Sequence, residues 1–339
     1  MPAIQPAEPA RALVNPTWEV QHFDPSALFI ALSIVDENTV WVAEQPGLVA
    51  RTTDGGQTWP KLTGPWPDTL AFRDIEAFSA DEAFVMAIGP GEDSRIYHTA
   101  DGGQTWRLSF QNEDPNAFFD CFSFWDRNRG FAFSDSHDGE FTIIRTTDGG
   151  ETWTRVDPIN VPDARPGEGS FAASGTCTAA QPGGLGWFGT GASGVDTRVM
   201  RTTDYGETWT EAATPIESTA PDEGIASLAF FDAEHGVALG GVGTRPMANV
   251  AVTHDGGVTW SRLGEGVLGG RVYGASVVPG TPTPTLVATS PNGSAYSTDG
   301  GETWTGIDAD EYWSVSFLSP DVGWAVGRFR ISRIVNQAR

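Results

Sequence analysis

Apolar and polar residues alternate with a period of two along much of the chain, in short runs separated by turn residues, which is the pattern of half-buried β-strands. The stretches FDAEHGVALGG from Phe231 and SPDVGWAVG from Ser319 each read as two such runs joined by a tight turn. Runs joined in this way predict hairpins. An innermost run of this kind is expected near residues 27–35, 71–78, 118–125, 171–178, 224–231, 272–278 and 312–318, which makes seven.

A repeated phrase groups the runs. RTTDGGQTW from Arg51 returns as HTADGGQTW from His98, RTTDGGETW from Arg145, RTTDYGETW from Arg201, VTHDGGVTW from Val252 and YSTDGGETW from Tyr296. The central aspartates Asp54, Asp101, Asp148, Asp204, Asp255 and Asp299 are 47, 47, 56, 51 and 44 residues apart, the length of one four-stranded propeller blade. Each carboxylate can accept N–H groups of its own turn, the glycines supply positive φ, and the tryptophan that follows packs between blades. A motif present on blade after blade marks a scaffold rather than one active site. Seven inner runs would need seven boxes, and only six occur. The segment Pro16-Thr17-Trp18-Glu19-Val20 resembles a strand that follows a box, and residues 330–336 end the chain without one. The expected fold is an all-β, seven-bladed β-propeller over residues 16–336, closed by pairing of the N-terminal strand with the C-terminal blade. Residues 1–15 are expected to form an extended arm.

Composition agrees with a turn-rich, aromatic-rich globular protein, with 41 Gly, 23 Pro and 13 Trp. The balance of 44 acidic against 20 basic residues, a formal charge of -24, opposes binding to nucleic acid or to an anionic membrane surface and points to neutral or basic partners. No apolar run approaches the ~18 residues of a membrane-spanning helix, so direct membrane insertion is not expected. The opening residues are rich in Pro and Ala and lack the basic and apolar regions of a signal peptide. With Met1 as the true start, the expected location is the cytoplasm, peripheral to a membrane complex; the periplasm or a lumen is the alternative. Two cysteines, Cys121 and Cys177, provide no disulfide framework and leave the redox compartment open.

The six boxes resemble those of bacterial sialidases. Taken with the strand type Gly323-Trp324-Ala325-Val326-Gly327, and its looser copy Gly236-Val237-Ala238-Leu239-Gly240, they resemble more closely the propellers related to the photosystem II assembly factors of chloroplasts and cyanobacteria. The resemblance covers residues 17–335. It implies a non-catalytic assembly or accessory subunit that docks on protein subunits of a large membrane-associated complex; separately, the residues lead to no expected cofactor or metal. The arm 1–15 is expected to lie on a partner or on the propeller itself, the partner being the sharper reading.

Motifs for other chemistry fail on context. Gly189-Thr190-Gly191-Ala192-Ser193-Gly194 has the form GxGxxG but leads into the strand VMRTTD, so the helix N-terminus needed for a pyrophosphate is missing. The five histidines are scattered without zinc spacing, and no GxSxG occurs. Propeller geometry places the loops opposite the boxes on one face, where Arg73, Asp74, Glu92, Asp93, Arg95, Asp120, Asp135, His137, Asp138, Glu168 and Arg198 gather. From these, Arg73, Asp74, Arg95, Asp120, Asp135, His137, Glu168 and Arg198 form the candidate binding set. A carbohydrate-active hydrolase is the alternative, with its two carboxyl groups drawn from Asp74, Asp120, Asp135 and Glu168. Sialidase chemistry would need three arginines, available among Arg73, Arg95, Arg198, Arg245 and Arg271, and a tyrosine such as Tyr273 or Tyr312. However, Phe72-Arg73-Asp74-Ile75 matches the sialidase Phe-Arg-Ile-Pro opening only loosely. Ser33, Asp74, Glu76, Cys121, Ser123, Ser174, Thr176, Ser227, Gly274, Ser276, Ser314 and Ser316 are expected to face a narrow, wet channel, with Asp74 and Glu76 as its acidic pair.

Overall fold

The computed structural model describes residues 10–191, 196–218, 220, 223–241, 249–263, 268 and 270–337. Strands dominate, and helix among the described residues is limited to two single 3-10 turns, Gly91–Asp93 and Pro158–Asn160. Among the described residues no helix is long and apolar enough to cross a membrane. Five blades are four-stranded antiparallel sheets spanning residues 71–111, 119–155, 178–213, 224–262 and 274–308. The second strand of a blade is covered on both faces by neighbouring blades. For that reason Ala83–Ile88, Leu185–Gly189, Gly236–Gly241 and Leu286–Ser290 are small or apolar almost throughout instead of alternating. Trp41, Trp187 and Trp324, all on such second strands, are completely buried.

The propeller has six blades, not the seven expected. The sixth sheet is six-stranded, in the order Ser314–Ser319, Val322–Val335, Thr17–Ile34, Val40–Gln45, Leu48–Thr52, Lys61–Leu62. Thr17–Ile34 runs for 18 residues and Val322–Val335 for 14, and the two pair from Thr17↔Val335 to Leu28↔Arg328. Strands assigned from the sequence to a first and a last blade therefore share one hydrogen-bonded ladder. The termini meet inside this sheet, where Trp18 packs on Tyr312 and Phe317 at ring distances of 5.7 and 6.1 Å. A second correction concerns the run 171–178. The inner strand of the 178–213 blade begins only at Thr178, because Gly175 takes φ +74° and Asp74 Oδ1 fills the space a Cβ would need there.

Residues 10–15 lie on the propeller itself. Arg11 N–H donates to Gly280 O at 2.9 Å, Leu13 is buried, and Asn336 clasps Val14 N–H and Ala12 O at 2.9 and 3.0 Å. The earlier part of the arm, residues 1–9, is outside the described residues. Cys121 is also placed differently from the expectation: it points away from the channel and forms a disulfide with Cys177, across a Cα–Cα distance of 6.3 Å. The bond joins two blades in a core cluster that includes Phe131, Phe133 and Phe188.

The boxes close as hydrogen-bonded corners. Asp148 Oδ1 accepts Thr152 N–H at 2.9 Å and the Thr146 hydroxyl at 2.8 Å, and Asp148 Oδ2 accepts the Thr152 hydroxyl at 2.6 Å. The same set recurs at Asp54, Asp101, Asp204, Asp255 and Asp299, with Ser297 replacing the first threonine in the last. Tyr205 stands where other boxes have glycine and keeps φ +63°; its ring is covered by the Arg129 guanidinium at 3.7 Å.

Candidate functional site

Several inner strands lose register close to where they begin. The shifts fall between Phe29 and Ala31, between Phe72 and Asp74, opposite Asp120, and between Ile225 and Ser227. A bulge adds an unpaired residue and re-aims its side chain. Arg73, Asp120 and Ala226 are bulge residues of this kind, and all three line a cavity of about 360 Å³ at the mouth of the propeller axis, on the face opposite the boxes. Phe171, Tyr273 and Trp313 provide its aromatic wall.

The polar groups of the cavity are unevenly satisfied. Asp120 is 1% exposed and interacts with Asp135, and its buried Oδ2 has no hydrogen-bond partner among the described residues. Burial, and then the neighbouring Asp135 charge, push the Asp120 carboxyl well above the usual carboxylate range. Asp135 is also raised by burial, although Ser170 N–H donates to it at 2.7 Å. Burial thus acts in the same direction on both carboxyls, most strongly on Asp120. Arg73 makes no hydrogen bond or ion pair among the described residues, and its buried Nε has no acceptor. It lies 5.2 Å from the Trp313 ring centroid, and Trp313 packs on Tyr273 at 4.8 Å. Burial lowers the affinity of Arg73 for its proton, yet a guanidinium remains charged at neutral pH.

The other expected site residues are dispersed. Glu168 and Arg198 form a closed, buried ion pair: Arg198 Nε donates to Glu168 Oε1 at 2.8 Å, with Thr190 Oγ1 and Arg165 N–H donating at 2.7 and 2.8 Å. Burial by itself would raise Glu168, but these donors, Arg198 foremost, hold it below its ordinary value. Arg95 donates to Glu92 O and reaches Tyr97 OH at 3.3 Å. His137 sits at an exposed hairpin tip, 3.2 Å from Asp138. Tyr312 is buried and donates to Asp308 at 3.1 Å, outside the cavity. Arg245 and residues 192–194 of the glycine-rich stretch are outside the described residues. Of the eight candidate binding residues, Arg73, Asp120 and Asp135 therefore meet in the cavity. Phe118, Phe171 and Trp313 were missing from the sequence-based set. An available signal was the aromatic residue directly before an inner strand, as in Tyr273-Gly274 and Trp313-Ser314.

Asp74, 4% exposed, and Glu76 sit between neighbouring inner strands rather than on the lining of the channel space. Asp74 accepts Phe122 N–H at 2.9 Å and Glu76 accepts Phe124 N–H at 3.0 Å, so both strap one inner strand to the next. Ser33 and Ser276 do the same for Ala77 N–H and Phe317 N–H at 3.0 and 3.2 Å. Burial raises Asp74 strongly and lifts Glu76 to about 8. Ser123, Thr176, Ser276 and Ser316 line the adjoining channel space of about 380 Å³. Among the described residues, no three His, Cys, Asp or Glu side chains are grouped to hold a metal ion.

Residues 10–118 match the family model described as "Photosynthesis system II assembly factor YCF48", and residues 295–305 match that of the BNR/Asp-box repeat. No curated protein matches the chain. Among solved structures, "YCF48 bound to D1 peptide" is 19% identical with a TM-score of 0.68, covering 97% of this chain and 99% of that one. YCF48 from Cyanidioschyzon merolae is 16% identical with a TM-score of 0.66, covering 94% and 99%. A streptogramin B lyase is 13% identical with a TM-score of 0.69, covering 95% and 98%. At such identities the likeness establishes the fold, which an enzyme and an assembly factor share. The chain is an Asp-box (BNR) repeat propeller, and it resembles the YCF48 photosystem II assembly-factor family in sequence over residues 10–118 and in fold over nearly its whole length.

Proposed function

We propose that the chain is a non-catalytic assembly or accessory subunit that docks on a membrane-associated protein complex by taking an extended partner segment into the axial cavity. The observation that carries this reading is Arg73, a guanidinium without an ionic partner among the described residues, set beside Trp313 and Tyr273 in an open cavity. An unpaired, partly buried cation calls for an anion, and its aromatic neighbours call for apolar or planar groups. The ligand is accordingly a peptide segment bearing a carboxylate. A structural neighbour with a bound D1 peptide supports the same mode, as does the family match over residues 10–118. The photosynthetic reaction-centre complex is the corresponding partner.

The carboxyl groups favour binding over hydrolysis. A glycosidase sets its two carboxyls about 5 to 9 Å apart across the scissile bond. Here Asp120 and Asp135 interact directly with each other, Glu168 is neutralised by Arg198, and Asp74 is tied to Phe122. The buried Cys121–Cys177 disulfide supports an oxidising compartment, so the periplasmic or lumenal side is the location we favour.

Affinity capture from detergent-solubilised native membranes tests the reading. The intact protein should recover a defined set of subunits. Arg73→Ala and Trp313→Ala should both lose that set while keeping the parent Tm. Equal recovery by both variants would overturn the assignment of the cavity.

A further inference from the structure

A second cavity, of about 320 Å³, opens on the box face between the 224–262 and 274–308 blades. Other box positions around the ring explain its origin. The residue three before a box aspartate leans across onto the next blade: Arg51 donates to Ala80 O, and Arg145 donates to Tyr205 O at 3.3 Å and to Glu207 Oε1 at 3.0 Å. In the 71–111 blade that position is His98, and its cross-strand neighbour Arg107 supplies the cation instead, donating to Gly150 O at 3.3 Å and Glu151 Oε1 at 2.7 Å. Glu151, Glu207 and Glu302 each stand three residues after a box aspartate. Glu151 and Glu207 are therefore both held by an arginine of the preceding blade.

Glu302 is not. Val252 stands where Arg145 does, and Ser261, paired with Val252 across the strands, stands where Arg107 does. Both cation-supplying positions are short and neutral, and the cavity lies between Val252 and the box of Asp299. Glu302 makes no ion pair among the described residues.

We propose that this cavity is a socket for an arginine side chain of a protein partner. The methylene stem packs on Phe231, Val252, Leu263 and Pro284. The guanidinium reaches the Glu302 carboxylate and Gly300 carbonyl, the acceptors that Arg145 finds in Glu207 and Tyr205. Arginine suits the socket better than lysine because its planar fork serves both acceptors at once. The formal charge of -24 also favours a basic partner. This site lies on the face opposite Arg73 and is independent of the proposed function.

Calorimetric titration of the full chain with acetyl-Gly-Arg-Gly-amide, and with the same peptide carrying citrulline, tests it. Saturable binding of the arginine peptide is expected, weaker by roughly tenfold or more for the citrulline peptide and in Glu302→Gln. Val252→Arg should abolish binding by filling the socket from within, and Arg73→Ala should leave it unchanged. If Val252→Arg fails to fold, Glu302→Gln and the citrulline peptide decide. No binding of the arginine peptide, equal binding of citrulline, or loss only in Arg73→Ala would overturn the proposal.

Discussion

Asp54, Asp101 and Asp255 are held at about 2, each chiefly by the hydroxyl of the threonine four residues on and then by its N–H. Glu76 lies at the other extreme, lifted by burial to about 8 from an ordinary 4.5. The signs are opposite. Between its ordinary value and about 8, Glu76 keeps a proton in the folded protein that the unfolded chain releases, so stability falls as pH rises through that window. The box aspartates bind protons more weakly when folded, so their contribution is lost as pH falls below about 4 towards 2. Thermal melts from pH 3 to 9 should therefore show a maximum on the mildly acidic side, and Glu76→Gln should flatten the alkaline slope. An unchanged slope would contradict the assigned state of Glu76. The box contacts are legible in sequence because donor and acceptor lie within four residues. The Asp120–Asp135 pair is not, because a bulge and a chain reversal bring those carboxyls together.

Closure of the ring is an element-scale property. Thr17–Phe23 pairs with Arg330–Val335, with a further pair at Leu28↔Arg328, and Trp18 adds a hydrogen bond from Nε1 to Ser294 Oγ at 2.9 Å. Deleting residues 1–21 should cost about 3–5 kcal/mol, because it bares a sheet edge and removes Trp18 from its aromatic contacts. A Tm equal to that of the full chain would refute this. The orphan Trp18 strand and the boxless C-terminal strand reveal this pairing from sequence alone. The number of blades is less legible, since box counting cannot tell whether two runs are separate strands or one continuous strand. Gly175 similarly hides the late start of its inner strand, because the side chain that excludes a Cβ there, Asp74, is 101 residues away. Bulges at Arg73 and Asp120 are likewise invisible in a period-two reading, yet they are what aims these residues into the cavity.

At the scale of the whole molecule, the propeller presents two unlike faces. One gathers Arg73, the Asp120–Asp135 pair and an aromatic wall around the axis; the other carries the box corners and the cavity beside Glu302. Inter-blade straps from Ser33, Asp74, Glu76 and Ser276, together with the Cys121–Cys177 bond, tie the inner strands into a ring that holds the first face in shape. The disulfide is hidden from sequence because 56 residues separate its cysteines and two blades must pack before they meet. The central claim is that a partner segment enters the axial cavity. Its most direct test is site-specific photocrosslinking in native membranes, with benzoylphenylalanine placed at Phe171 inside the cavity or at Ile159, which is 85% exposed and outside it. A crosslink to one defined membrane-complex subunit from position 171, lost in the Arg73→Ala background and absent from position 159, is the predicted result; crosslinks from position 159 alone, or none from 171, would contradict it.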